Sequence, residues 1–268
     1  MIRVDRRIGL ALGVALLFGV RLPVNFYSPY QASSVIEIWK RWHITLSQFL
    51  RDYLYIPLGG NRRGKARQYL NLAITMVLGG LWHGASWNFA VWGALHGLFL
   101  GINHLWRGLC RQRGWQFDGF LGYLIARVLT FTAFAAAFVY FRAATLDGAN
   151  QLLLSLGAGG GASEAWLAGV EQAWRNDVLG GIAAGLGSAN LAALILATAL
   201  AVALLLPNAL QLVRGDRIGF ELPVVPERGP FTGMRWQPGI AWGLGLGLLG
   251  WAIALSLTAV SPFLYFQF

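Results

Sequence analysis

A single cysteine, Cys110, in 268 residues excludes an intrachain disulfide and any cysteine-based metal site. Charge is scarce as well: Asp, Glu, Lys and Arg make up 12% of the chain, about half the ~25% of ordinary globular domains. Acidic residues are the scarcer kind, 11 against 21 Lys and Arg, for a formal net charge of +10. The short alternating segments of a β-barrel are missing, and no repeat of fixed period runs through the chain. With 56% hydrophobic residues and a mean hydropathy of +0.55, what remains is an all-α integral membrane protein. In a soluble chain the basic excess would point to nucleic acid. Here it sits in short loops between apolar runs, where it sets topology and meets anionic lipid head groups, so membrane lipid is the expected partner and nucleic acid is not.

Taken in order, the chain is expected to form a polytopic helical bundle with re-entrant and interfacial amphipathic helices, one membrane domain over 1–268. Arg3, Arg6 and Arg7 before the apolar run 8–20 imitate a signal peptide, but no small-x-small cleavage site follows. A short membrane helix is expected instead. It makes about 20 Å of helix against a ~30 Å hydrocarbon core, so it is re-entrant or the remainder of a longer helix. Pro23 and Pro29 close it with a loop. Ser34 and Glu37 form a capping box that opens an amphipathic interfacial helix over 34–56. Ile38, Trp42, Leu46, Phe49 and Tyr53 make its apolar stripe, and Lys40, His43, Ser47 and Arg51 its polar one. Pro57, Gly59 and Gly60 stop it. Arg62, Arg63, Lys65 and Arg67 then form the strongest basic cluster, cytoplasmic by the positive-inside rule.

The segment 69–106, about 57 Å as helix, barely suffices for two crossings, and Gly79, Gly80 and Gly84 interrupt it around His83. A hairpin returning Arg107, Arg111 and Arg113 to the cytoplasmic side is the expectation. Beyond it, 121–141 reads as a clean span, 142–187 as an outer segment and 188–206 as a crossing. Residues 214–238 read as a cytoplasmic loop, 239–260 as a last crossing, and 263–268 as an aromatic anchor at the outer interface.

Histidine is sparse and confined: His43, His83, His96 and His104 are the four in the chain, within one quarter of its length. No two are spaced i, i+4 and no carboxylate accompanies His83 or His96, so no metal site is expected. Gly245, Gly247 and Gly250 have dinucleotide-motif spacing, but lack a preceding strand and a later acidic residue. They read as small-residue helix packing. His104, beside Trp106 and Arg107, reads as interfacial. His96 shares a helical face with Asn103, a polar stripe that either lines a pathway or satisfies a neighbouring helix. His83 differs, because an ionisable group at membrane depth is a functional-site hypothesis by default. Its flanking glycines leave room for a substrate, and a buried neutral imidazole can take a proton from a hydroxyl or thiol during acyl transfer. His43 approaches from the polar stripe to orient or relay. On these residues alone catalysis, proton relay and a structural role all stay open.

Longer motifs narrow the choice. Asn25-Phe26-Tyr27-Ser28-Pro29-Tyr30, Trp39-Lys40-Arg41-Trp42-His43-Ile44-Thr45-Leu46-Ser47, FLRDYLYIPLGGNR at 49–62, GGLWHGASW at 79–87 and Trp92-Gly93-Ala94-Leu95-His96-Gly97 resemble the membrane-bound O-acyltransferase family. In particular they resemble its branch of alginate O-acetylation proteins, related to the D-alanyl transfer proteins of teichoic acids. Phe141-Arg142-Ala143 and the closing FLYFQF at 263–268 resemble that branch too. The resemblance implies a ring of helices around a thinned centre, with a tunnel holding the family's essential histidine at His83 and its second motif histidine at His43. Arg51, Asp52, Tyr55, Asn61, Trp82, Trp87 and His96 lie in the same motifs and are the expected substrate-channel residues. It further implies no bound cofactor, and acetyl transfer from a cytoplasmic donor, acetyl-CoA, across the bacterial inner membrane. The acceptor would be an exported, alginate-like polysaccharide, reached with periplasmic acetyltransferase partners. Family members carry further helices before the segment matching residue 8, so the chain reads as a carboxy-terminal portion whose missing amino-terminal half would be another partner. The alternatives are D-alanyl-type transfer to an envelope polymer, an inactive truncated scaffold that binds partner chains, and a histidine-relay transporter.

Overall fold

In the computed structural model the residues described are 12–157 except Gln116 and Asp118, 197–212 except Ala199, and scattered positions between 223 and 248. Among them the chain is helical, without a strand. A short helical stretch over 12–17 gives way to the loop that carries Asn25 and Tyr27. Helix α1 (Val35–Trp39) starts where Ser34 Oγ accepts the Glu37 backbone N–H at 3.2 Å. The Glu37 carboxylate in turn accepts from the backbone N–H and hydroxyl of Ser33, at 2.9 and 3.0 Å.

The expected continuous helix over 34–56 is corrected: α1 ends at Trp39, and α2 (Ile44–Leu50) begins after a turn. Two groups that a continuous helix would use internally are taken by the preceding loop. Tyr27 N–H donates to Arg41 O at 2.9 Å, and Ile44 N–H donates to Asn25 O at 3.0 Å. The Asn25 side-chain oxygen accepts from both the backbone N–H and the hydroxyl of Thr45, at 3.0 and 2.7 Å. Beneath the turn the nearly inaccessible Arg41 pairs with Glu37 at 2.7 Å and donates to Tyr27 O. After α2 the chain widens into a π turn over Arg51–Tyr55, where Ile56 N–H donates to Arg51 O. The apolar stripe splits accordingly. Ile38 and Leu46 are buried, whereas Phe49 and Tyr53, 52% and 68% exposed, stack on one another at the surface.

Helices α3 (Gly64–Leu81) and α4 (Trp87–Arg113) form a hairpin and pair more extensively than any other two described elements. Small residues let their backbones touch. A Cβ on Gly80 would stand 2.1 Å from Phe89 O, one on Gly93 2.3 Å from Met76 O, and one on Gly97 2.9 Å from the Ala73 Cα. Asn71, fully buried on α3, ties the preceding loop down by donating to Gly60 O at 2.9 Å. At its far end α4 stops in a left-handed Gly114, φ +65°, with Arg111 and Arg113 in the last turn beside the negative end of the helix dipole.

Helix α5 (Phe120–Arg142) packs on α4 and, among the described residues, is the one helix long and apolar enough to cross a membrane. Its end is joined to the start of α4 by Asn88, whose side-chain N–H donates to Ala143 O at 2.6 Å. Helix α6 (Leu146–Gly157) follows. The described part of 197–212, with the short α7 (Ala209–Leu212), is held against the early loop: Gln31 donates to Leu206 O at 2.7 Å and Asn208 to Ser28 Oγ at 2.8 Å. Val35, Trp39, Met76, Trp92, Leu100 and Ala137 form the core between α1, α3, α4 and α5. The anchor over 263–268 falls outside the described residues, as do most of the expected crossings over 188–206 and 239–260 and all of the loop over 214–238 except 223 and 225.

Candidate active site

The turn between α3 and α4 is short and internally bonded. His83 N–H donates to Gly80 O at 2.9 Å, and Gly84 N–H to Leu81 O at 3.1 Å. Ser86 ends it by capping α4, its hydroxyl accepting from Asn88 N–H at 3.3 Å. This presents the half-buried His83 imidazole to a box of aromatic rings from three elements. The centroids lie at 4.8 Å for Trp82, 5.0 Å for Phe141, 5.5 Å for Trp92 and 6.1 Å for Phe89. The first three rings stand edge-on, at 74–90°, the arrangement that aromatic quadrupoles favour. Phe89 and Trp92 reach the box together because residues three apart share a helix face, and Phe141 closes it from the last turn of α5.

His43 comes to the same place from the turn between α1 and α2. Its ring lies 6.2 Å from Trp82 and 5.9 Å from Phe26, so one indole contacts both imidazoles. The backbone at His43 is left-handed, φ +42° and ψ +57°, an uncommon state for a residue with a Cβ that costs on the order of 1–3 kcal/mol. The Asn25 hydrogen bonds to Ile44 and Thr45 on its C-terminal side hold it there. His43 Nδ1 is buried and has no hydrogen-bond partner among the described residues. Two imidazoles beside one indole, lined by rings rather than carboxylates, suit the acceptance and return of a proton. Among the described residues no group of three His, Cys, Asp or Glu is placed to hold a metal ion.

The remaining candidates divide among three places. Arg51, Tyr55 and Asn61 line one cavity of about 810 Å³, together with Trp39, Lys40 and His104. Neither His83 nor His43 is part of its wall. Trp39 stands between, 6.0 Å from Trp92, which in turn touches His83. Burial pushes the Tyr55 hydroxyl above its ordinary pKa, opposed in part by a hydrogen bond with Gln68. Asp52 turns to solvent and pairs with Arg51 at 2.7 Å, and the guanidinium holds its carboxyl below the usual carboxylate range. Trp82 is in the histidine box, whereas Trp87 is 77% exposed as the first residue of α4. His96 is completely buried among Trp92, Trp39, Phe134 and Phe99. Neither of its ring nitrogens has a hydrogen-bond partner among the described residues. Asn25, Phe89, Trp92 and Phe141 belong to the site although chemistry-bearing residue types do not mark them. Their signal was position: Asn25, Trp92 and Phe141 stand inside the motif stretches and Phe89 lies between two of them.

The profile of MBOAT, the membrane-bound O-acyltransferase family, matches residues 8–142, a span that contains both imidazoles and every ring around them. Among curated proteins the chain is 44% identical over 144 residues to a peptidoglycan O-acetyltransferase of Helicobacter pylori, covering 54% of this chain and 27% of that one. It is 54% identical over 93 residues to a probable alginate O-acetylase AlgI of Pseudomonas aeruginosa, covering 35% and 18%. It is 38% identical over 103 residues to a teichoic acid D-alanyltransferase of Streptococcus thermophilus, covering 36% and 25%. The chain thus spans about a quarter or less of the length of these relatives.

Proposed function

The chain belongs to the membrane-bound O-acyltransferase family, and on that premise we propose that it carries the catalytic portion of an acetyltransferase, with His83 as general base. The observation that carries this reading is the convergence of His83 and His43 on Trp82, within the family-matched stretch. An imidazole nitrogen of His83 takes the proton of an acceptor hydroxyl as its oxygen attacks the thioester carbonyl. The thiolate leaves and recovers the proton. His43 orients the reacting groups across the indole.

The donor in this reading is acetyl-CoA. The cavity beside Trp39 supports it, because apolar side chains such as Ile36, Leu72 and Met76 share its wall with Lys40, Arg51 and His104, which supply cationic or protonatable groups. A phosphate-bearing thioester matches both features. The acceptor is an exported or envelope polysaccharide, supported by the polymers named in its relatives: alginate, peptidoglycan and teichoic acid. The α3–α4 hairpin and α5 sit in the bacterial inner membrane as parts of a multi-pass bundle, and periplasmic acetyltransferases take over the acetyl group outside.

Membranes from cells expressing the chain, alone or with the amino-terminal part of a relative, are given radiolabelled acetyl-CoA, isolated envelope polysaccharide and a periplasmic extract that supplies the acetyltransferase partners. Base-labile label should appear on the polymer, and His83→Gln should reduce it about 10²–10⁴-fold, the usual value of general-base catalysis. Glutamine keeps hydrogen-bonding capacity but accepts no proton. Wild-type labelling in a stably inserted His83→Gln variant would overturn the assignment.

A further inference from the structure

The contacts between α3 and α4 fix which residues share the open end of the hairpin. They run from Gly80 against Phe89, through Gly93 against Met76 and Gly97 against Ala73, to Gly101 beside the Tyr69 ring. At that antiparallel register the exposed Arg62, Arg63 and Lys65 lie at the same end as the exposed Arg107, Arg111 and Arg113. The stretches 62–67 and 107–115 contain no acidic residue, and among the described residues none of these cations pairs with a carboxylate. Arg107 donates to Ser34 Oγ at 3.2 Å and Arg111 Nε to Arg107 O at 3.3 Å. Beside the arginines stands an aromatic ledge. Past the left-handed Gly114 the chain doubles back, Trp115 N–H donating to Cys110 O at 3.0 Å. The Trp106 ring lies 6.2 Å from Trp115 and 5.9 Å from Phe117, all three exposed, and the Arg113 guanidinium sits over Trp115 at 5.7 Å. From the ledge an uncovered apolar strip runs along α5: Phe120, Leu121, Leu124, Ile125 and Val128, at helical spacing.

We propose that this corner binds an anionic phospholipid, its phosphate among Arg107, Arg111 and Arg113 and one acyl chain along the α5 strip. A single ligand has to meet three features: cations without carboxylates, indoles exposed beside them, and apolar side chains that begin where the cations end. Guanidinium groups match phosphate oxygens, and indoles settle at the boundary between head group and hydrocarbon. From Phe120 to Val128 the strip covers about 12 Å of helix, close to the depth of one leaflet of a ~30 Å hydrocarbon core. A free phosphate leaves that strip uncovered. A nucleic acid would use the cations and rings, but not a strip on the helix that is long and apolar enough to cross a membrane. The site depends neither on His83 nor on acyl transfer.

Native mass spectrometry of the intact chain in detergent, titrated with phosphatidylglycerol, counts bound lipid directly. Phosphatidylglycerol should bind in preference to phosphatidylcholine. A cation beside anionic lipid is worth about fivefold in affinity. Arg111→Gln combined with Arg113→Gln should therefore weaken phosphatidylglycerol roughly 25-fold and leave phosphatidylcholine unchanged. Arg21→Gln, which removes an exposed charge from the early loop, should alter neither. Glycerophosphoglycerol, the same head group without acyl chains, should fail to displace the lipid at equal concentration. Equal affinity for the two lipids, or undiminished phosphatidylglycerol binding in the double arginine variant, would overturn the site. Displacement by glycerophosphoglycerol or by a single-stranded oligonucleotide would overturn it as well, and would assign the corner to a free phosphate or to a nucleic acid.

Discussion

Gly80→Ala tests the closeness of the hairpin that presents His83. The new methyl carbon would lie 2.1 Å from Phe89 O and 3.1 Å from the carbon of that carbonyl, whereas a carbon settles against a carbonyl oxygen at about 3.3–3.6 Å. The obstruction is backbone, so no side-chain rotation relieves it, and α3 and α4 must part locally by roughly 1 Å. Overpacking of this kind costs about 1–3 kcal/mol, and a backbone obstruction belongs at the upper end. In a chain of this size that lowers the melting midpoint by roughly 6–12 °C. Gly93→Ala should behave alike, its methyl meeting Met76 O at 2.3 Å and the Val77 Cα at 2.9 Å. Gly108→Ala supplies the control: it lies on the same α4 with nothing within 4 Å of the added carbon, and should be neutral or stabilising by up to ~1 kcal/mol. Because Gly80 O accepts the His83 backbone N–H, the same parting moves the imidazole, and acyl transfer should fall by about 10²-fold even below the melting point. The assays are thermal melting in mild detergent and polymer acetylation at a permissive temperature. If Gly80→Ala and Gly108→Ala melted together and retained equal activity, the reasoning from backbone contact would be refuted.

Two other perturbations follow from packing. Trp42→Ala removes an indole that touches Phe26, Tyr30, Phe134 and Phe138 and should cost about 3 kcal/mol, whereas Phe49→Ala at the surface should cost less than about 1 kcal/mol; detergent melts showing equal losses would mean that the faces are wrongly assigned. Glu37→Ala takes the carboxylate from a 2%-exposed Arg41 and from Ser33, and should destabilise by about 3–5 kcal/mol, measured the same way; a loss below 1 kcal/mol would show that the pair does not hold the turn.

Local signals proved the readable ones. The cap at Ser34 rests on a side chain three residues from its partner, and the span that became α5 is a plain apolar run. Such features need no knowledge of distant chain. The break between Trp39 and Ile44 needs it, since no glycine or proline marks 40–43 and the cause is hydrogen bonding to Asn25 and Tyr27. An amphipathic pattern persists through a break when helices on both sides keep their buried faces toward the same core, so periodicity alone reported one helix. His96 was ambiguous for a related reason. A polar residue on an apolar face looks the same in sequence whether it lines a conduit or is enclosed by rings from α1 and α5. The ring box around His83 depends on Phe141, which is more than fifty residues away along the chain and arrives only when α5 packs on α4.

Position 43 unites two requirements that proteins usually assign to different residues: a turn geometry natural to glycine and an imidazole. The routes by which the site can be damaged are therefore unequal. His43→Gly relieves the torsion and deletes the ring, leaving a gap beside Trp82 into which free imidazole from the medium can diffuse, so lost activity should be restorable by a small molecule. A β-branched replacement such as His43→Val opposes the torsion itself; it should loosen the clamp on Ile44 and Thr45, tilt α2, and resist chemical rescue at any concentration. One codon thus offers both a reversible and an irreversible way to disable the same centre.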